Sequence, residues 1–221
     1  MKISFQPMRV GSTIKGSGWL STLALLLVLA PSSQATLVGL VPTPPGGTVL
    51  AGSTTDGPGT LLADMTALFS FTTTAGTTSG TVESAVYQES GGTLDFYYQV
   101  VNSASSATAI ARETNTSFSG FMTDTGFRMD GSQLTGTTFV DGTVAPNFAD
   151  RNATRAVNGF LFELTDSSKI QPGQTSNVLV IATDSTQFEP GNASVIDGGS
   201  QTVAAFQPAS ATPEPGSSER F

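Results

Sequence analysis

The chain contains neither cysteine nor histidine. Without cysteine there are no disulfides, no thiol nucleophile and no thiolate metal site. Without histidine the side chain that titrates near neutral pH is gone, and with it Ser-His-Asp triads and His-ligated zinc. Charge is also scarce, at 12% of residues, and basic charge scarcest, with 9 Lys and Arg against 17 Asp and Glu. Lys2, Arg9 and Lys15 lie in the first 35 residues, so the remainder carries 6 basic and 17 acidic residues, a net charge of −11. A basic patch for nucleic acid or anionic lipid is therefore not expected. The same charge predicts a soluble, monomeric chain.

What is present begins with an export signal. Lys2, Arg9 and Lys15 form a positive n-region, and Leu20–Ala30 is an apolar run of 11 residues broken by Pro31. Ser33-Gln34-Ala35 puts small residues at the −3 and −1 positions of a cleavage site between Ala35 and Thr36. A spanning helix needs about 20 apolar residues, so this run is too short to cross a bilayer. Residues 1–35 are expected to be a signal peptide, which also removes Trp19, the single tryptophan.

Residues 36–207 carry a period-two pattern. In Leu94–Val101 the side chains of Leu94, Phe96, Tyr98 and Val100 fall on one face, and Asp95, Tyr97, Gln99 and Val101 on the other. Gly91-Gly92 opens this run and Asn102-Ser103 closes it, so it reads as the central strand. Gly80–Ser90 precedes it closely enough to form an antiparallel hairpin. Further strands are expected at Thr36–Val41, Thr48–Ala51, Thr60–Thr74, Ala109–Phe118, Gly126–Met129, Thr137–Val140 and Val157–Thr165. Ser176–Thr183, apolar on both faces, should be deeply buried. Ala193–Ile196 and Thr202–Gln207 read as a last hairpin about Asp197-Gly198-Gly199. Ala145–Thr154 and Phe188–Asn192 read as loops. The pattern predicts an all-β fold, a single antiparallel β-sandwich of immunoglobulin-like or jelly-roll-like kind. Its expected core includes Leu68, Phe71, Val82, Val86, Phe118, Phe160, Phe162, Leu164, Val178, Val180, Ile181, Val203 and Phe206.

Carboxylates are the main catalytic side chains available. A pair could hydrolyse glycosidic bonds at a separation of about 5 Å, or about 6.5–9.5 Å with inversion. Glu83, Glu89, Asp95, Glu113 and Glu163 are the candidates, but nothing in the sequence pairs them, and solvated surface acids are the simpler reading. Calcium would draw on Asp124, Asp130, Asp141, Asp150, Asp184 and Asp197, yet no EF-hand-type loop gathers them. Asp-Gly pairs are explained by turn chemistry. Tyr87, Tyr97 and Tyr98 could form a sugar-stacking platform, or pack in the core. Asn115, Asn152 and Asn192 begin glycosylation sequons. Arg151 and Arg155 could hold loop carbonyls or pair with Asp150. No catalytic residue, metal ligand or cofactor site is assigned.

After Gln207 the pattern stops, and residues 208–221 form a Pro/Ser-rich tail. Within it Pro213, Glu214 and Pro215, followed by Gly216, resemble the sorting signal of PEP-CTERM proteins, which exosortases process. The body is similar to that family in Ser84-Ala-Val-Tyr-Gln-Glu89, Gly92-Thr-Leu-Asp-Phe-Tyr-Tyr-Gln-Val100, Gly142-Thr-Val-Ala-Pro146, Pro172-Gly-Gln-Thr-Ser176, Ala193-Ser-Val-Ile-Asp-Gly-Gly199 and Ala204-Ala-Phe-Gln-Pro208. The resemblance implies a bacterial protein, secreted and associated with envelope components or an exopolysaccharide matrix, with exosortase as a partner where the anchor exists. It implies no reaction. The family's apolar helix and basic cluster do not follow Pro215, so the mature chain as given has no membrane span. Truncation or a frameshift just after Ser217 is the expected reason.

These readings converge on a non-enzymatic cell-surface or extracellular-matrix protein. The alternative is a carbohydrate-binding module, with calcium as a candidate aid.

Overall fold

Alternating side chains and closely spaced turns leave this sequence one economical way to bury its apolar residues, between two sheets. The computed structural model describes residues 37–209. In chain order the strands are β1 (Val41–Pro42), β2 (Thr48–Leu50), β3 (Gly52–Ser53), β4 (Thr60–Thr73), β5 (Gly76–Gln88), β6 (Leu94–Asn102), β7 (Arg112–Asn115), β8 (Thr123–Arg128), β9 (Phe148–Arg151), β10 (Asn158–Leu161), β11 (Val178–Thr183), β12 (Phe188–Ile196) and β13 (Ser200–Pro208). One sheet has the order β1-β8-β11-β6-β5-β4, with β3 also beside β8; the other runs β13-β12-β7-β10-β9-β2. All named pairings are antiparallel except β3 with β8. The fold is an all-β sandwich. Among the described residues the only helical turns are short 3-10 segments, and no helix is long and apolar enough to cross a membrane.

β6 is central, as its alternation predicts, flanked by β5 and β11. Its inward residues Leu94, Phe96, Tyr98 and Val100 meet Phe69, Phe71, Val82, Val86 and Ile181 of the same sheet. From the facing sheet, Ala149, Phe160, Val195, Val203 and Ala205 complete this core. Phe96 packs edge-on against Phe118, with ring centroids 5.6 Å apart.

The other face of β6 is buried as well. Tyr97 joins Ala85, Tyr87, Val178, Val180 and Ala182 under a cover of Leu37, Leu40, Leu134 and Phe139. Polar residues of the sheet hold that cover down. Glu83 accepts from Thr138 N and Oγ1, each at 2.6 Å. Gln99 donates to Val140 O at 2.8 Å and accepts from Val140 N at 3.0 Å. Residues 137–140 are therefore a tied-down loop rather than the expected strand, because their backbone groups bond to side chains and not to a neighbouring ladder.

Other expectations are corrected similarly. The expected loop Ala145–Thr154 contains β9, and Phe188–Asn192 is the first half of β12. The strand expected over Gly80–Ser90 starts earlier, as β5 begins at Gly76 and leaves only residues 74–75 for the turn after β4. Leu68 is 83% exposed, since Phe69 and Phe71 set the inward phase of β4 and a period of two then turns Leu68 outward. Leu164 is 65% exposed. β10 ends at Leu161, and Asn147 Oδ1 captures Leu164 N at 3.1 Å, which diverts the chain from the Phe160–Phe162 face.

Candidate functional site

At one end of the sandwich, the loops leading into β8 and out of β9 face the segment after β1. They enclose an open groove of about 610 Å³, lined by Pro42, Thr43, Pro44, Pro45, residues 120–124, Arg151 and Arg155. The proline wall is fixed from within. Thr43 N donates to Thr123 O at 3.0 Å, and Thr43 Oγ1 shares a 2.6 Å bond with Thr125 Oγ1. Gly47 N donates to Pro44 O at 2.9 Å, closing a turn that places Gly46 at φ 70°, a conformation suited to glycine. Pro42, Pro44 and Pro45 are left exposed.

The opposite wall is organised by Arg151, whose residue is 4% exposed. Its guanidinium donates to Phe118 O (2.8 Å), Phe121 O (2.7 Å) and Arg155 O (3.1 Å), drawing the loops 116–122 and 152–157 together. Burial, and then the Arg155 charge, push Arg151 below the usual arginine range. The two non-glycine residues with positive φ among those described, Ser117 (69°) and Arg155 (62°), sit in these same two loops. Such backbone is costly and persists only where surrounding bonds hold it.

Five basic residues fall within 37–209. Arg112 pairs with Asp150, Arg128 with Asp130, and Lys169 with Asp166 and Asp197. Arg151 and Arg155 form no ion pair among the described residues, and both line the groove. Arg155 is exposed. Behind the groove a polar row enters the core. Asn158 stands opposite Arg151 on one side and Asn115 on the other, and it accepts from Thr123 Oγ1 at 3.3 Å. Asn158 Nδ2, Asn115 Oδ1 and Glu113 Oε1 are buried without a hydrogen-bond partner.

The candidate acids are dispersed. Glu113 is fully buried, accepts from Asn115 Nδ2 at 2.9 Å, and is raised to about 8 by desolvation, which outweighs that bond and the Arg112 charge. Glu83 lies under the cover loop, and its burial raises it above the usual carboxylate range. Glu163 is exposed. The structure does bring Asp95 and Glu89 together. Burial, and then the charge of Glu89, raise Asp95 well above the ordinary aspartate range, and both of its carboxylate oxygens are buried without a hydrogen-bond partner. Asp95 is only 1% exposed, so this contact opens on no substrate space.

The loop acids are engaged one by one. Asp130 is held below its ordinary range by its hydrogen bond to Arg128. Asp141 accepts from Ser132 N and Oγ, Asp184 from Met122 N, and Asp150 and Asp197 form the ion pairs above. Asp124 lines the groove. Among the described residues no group of three or more metal-ligating side chains converges.

The tyrosine platform is overturned, because Tyr87, Tyr97 and Tyr98 are at most 2% exposed. Tyr98 Oη donates to Phe206 O at 2.7 Å in the inter-sheet core, and Tyr87 stacks at a tilt on Tyr97 (4.7 Å) in the outer one. Asn115 is buried, which removes it as a glycan acceptor, whereas Asn152 and Asn192 are exposed. Arg151 holds loop carbonyls, one of its two expected roles; Asp150 is taken by Arg112. The cleavage site Ala35–Thr36 and the sorting motif Pro213, Glu214 and Pro215 lie outside the described residues. Sequence reasoning missed Pro42–Pro45 and residues 120–123, and it weighed Asp124 only as a calcium ligand. Only the proline run carries a local signal, and by itself such a run indicates a turn.

Comparison with known proteins adds no relative: no family model matches the chain, and neither the curated proteins nor the solved structures gave a match.

Proposed function

We propose that this is an exported, non-enzymatic protein of the cell surface or extracellular matrix, acting by binding rather than by catalysis. The observation that carries the reading is the placement of the acids. Asp95, Glu113 and Glu83, the carboxylates with raised pKa, are buried in layers that hold the sandwich together. The open groove is walled instead by prolines, Phe121, Met122 and two arginines, with Asp124 the one carboxylate in its described lining, so no pair of acids faces it. The N-terminal signal pattern and the resemblance of the tail to a sorting motif support the address. A low-charge surface rich in Ser, Thr and Gly fits an extracellular setting.

The groove favours a second, more specific reading, a carbohydrate-binding module. It rests on loop-borne arginine and apolar walls rather than on tyrosines or calcium. A reducing-end assay on a panel of acidic and neutral polysaccharides tests the common claim. No hydrolysis is expected; release of sugars that Asp95→Asn or Glu89→Gln abolishes would replace binding with glycosidase chemistry.

A further inference from the structure

Resting on the binding reading above, we propose that the groove beside Pro42–Pro45 binds a carboxylate-bearing saccharide, with the Arg155 guanidinium clamping the sugar carboxylate. Charge supplies the first argument. In a chain of net charge −8, the basic side chains that form no ion pair among the described residues are both gathered on one groove, whose described lining holds a single carboxylate, the buried Asp124. Arg151 is committed to three carbonyls, which leaves Arg155 to meet a ligand. An exposed arginine presents a planar fork that matches a carboxylate.

The walls supply the second. Pyrrolidine faces of Pro42, Pro44 and Pro45 with Phe121 and Met122 offer apolar surface to the C–H face of a sugar ring, which an inorganic anion would not use. They also disfavour a peptide. Proline has no N–H to donate, so Pro42 makes β1 a poor edge for an added strand. The third argument is the backbone. Arg155 is held at φ 62° by bonds to its own carbonyl from Arg151, so the backbone that carries the cation is fixed before any ligand arrives.

Isothermal titration of the full chain with oligogalacturonate, maltooligosaccharide and polyglutamate tests this. Arg155→Asn is the informative variant. Asn tolerates positive φ and keeps the carbonyl that Arg151 holds, so the cation is lost while the loop stays in place. Binding of oligogalacturonate alone is expected, weakened roughly ten- to hundred-fold by Arg155→Asn with an unchanged melting temperature. Lys169→Gln, remote from the groove lining, should leave it unchanged. No binding at about 1 mM, equal binding of polyglutamate, or full affinity in Arg155→Asn would each overturn the proposal. Surface or matrix association is measured separately by fractionation, so a failure here leaves the proposed function standing.

Discussion

Arg151 grips the carbonyl oxygen of Arg155 with two N–H groups, Nε at 3.3 Å and Nη2 at 3.1 Å. One arginine thereby fixes the backbone that presents the other. The buried one is a structural tie between loops, and the exposed one carries the charge. Arg151→Ala should leave the carbonyls of Phe118, Phe121 and Arg155 without their partner and lower stability by roughly 2–4 kcal/mol in urea unfolding. Arg155→Asn should change stability by less than about 0.5 kcal/mol. Equal losses from the two would contradict this division of roles.

The buried acids predict how stability depends on pH. Glu113 sits at about 8 in the folded chain against an ordinary value of 4.5. Between those values the folded state holds a proton that the unfolded state releases. Stability should therefore be greatest below about pH 4.5 and fall as pH rises toward about 8. Asp95, also raised by burial, adds to the same slope. Glu113→Gln mimics the neutral acid, so it should stabilise the protein by roughly 3 kcal/mol at pH 7 and leave it almost unchanged at pH 4. Denaturant titrations at several pH values check this; a flat profile in the parent chain would contradict it.

The phase of β4 predicts a contrast between neighbours. Phe69 is 2% exposed in the inter-sheet core and Leu68 is 83% exposed. Phe69→Ala should cost about 3–5 kcal/mol, and Leu68→Ala no more than about 0.5 kcal/mol. A large loss from Leu68→Ala would mean that the strand sits one residue out of this register.

The cover over the outer face makes a prediction about local opening. Glu83→Ala removes both acceptors that hold Thr138. Faster amide exchange is expected at Thr138 and its neighbours in residues 137–140, with strands β6 and β11 still protected. Uniform acceleration across the sheet would show that the loop is not a separate layer.

Particular residues show how much of this was legible in the sequence. Leu94–Asn102 and Val178–Thr183 announced themselves, because alternation and an unbroken apolar run report burial directly. The hairpins β5–β6 and β12–β13 followed from their short turns. Asp95 misled, since a solvated surface acid was the simpler reading while the structure buries it, and Gln99 beside it is as deeply buried, tied to Val140 of a loop distant in sequence. Leu68 against Phe69 could not be decided locally, as either phase gives an apolar stripe. The groove was hidden for a simpler reason. It joins residues 42–45, 120–124, 151 and 155, and no local pattern relates segments that only the sandwich brings together.

The most direct test of an exported surface or matrix protein is fractionation of source cells, followed by N-terminal sequencing of the recovered chain. The account predicts a chain beginning at Thr36 in the cell-surface or matrix fraction. A chain still beginning at Met1 in the cytosol would contradict it.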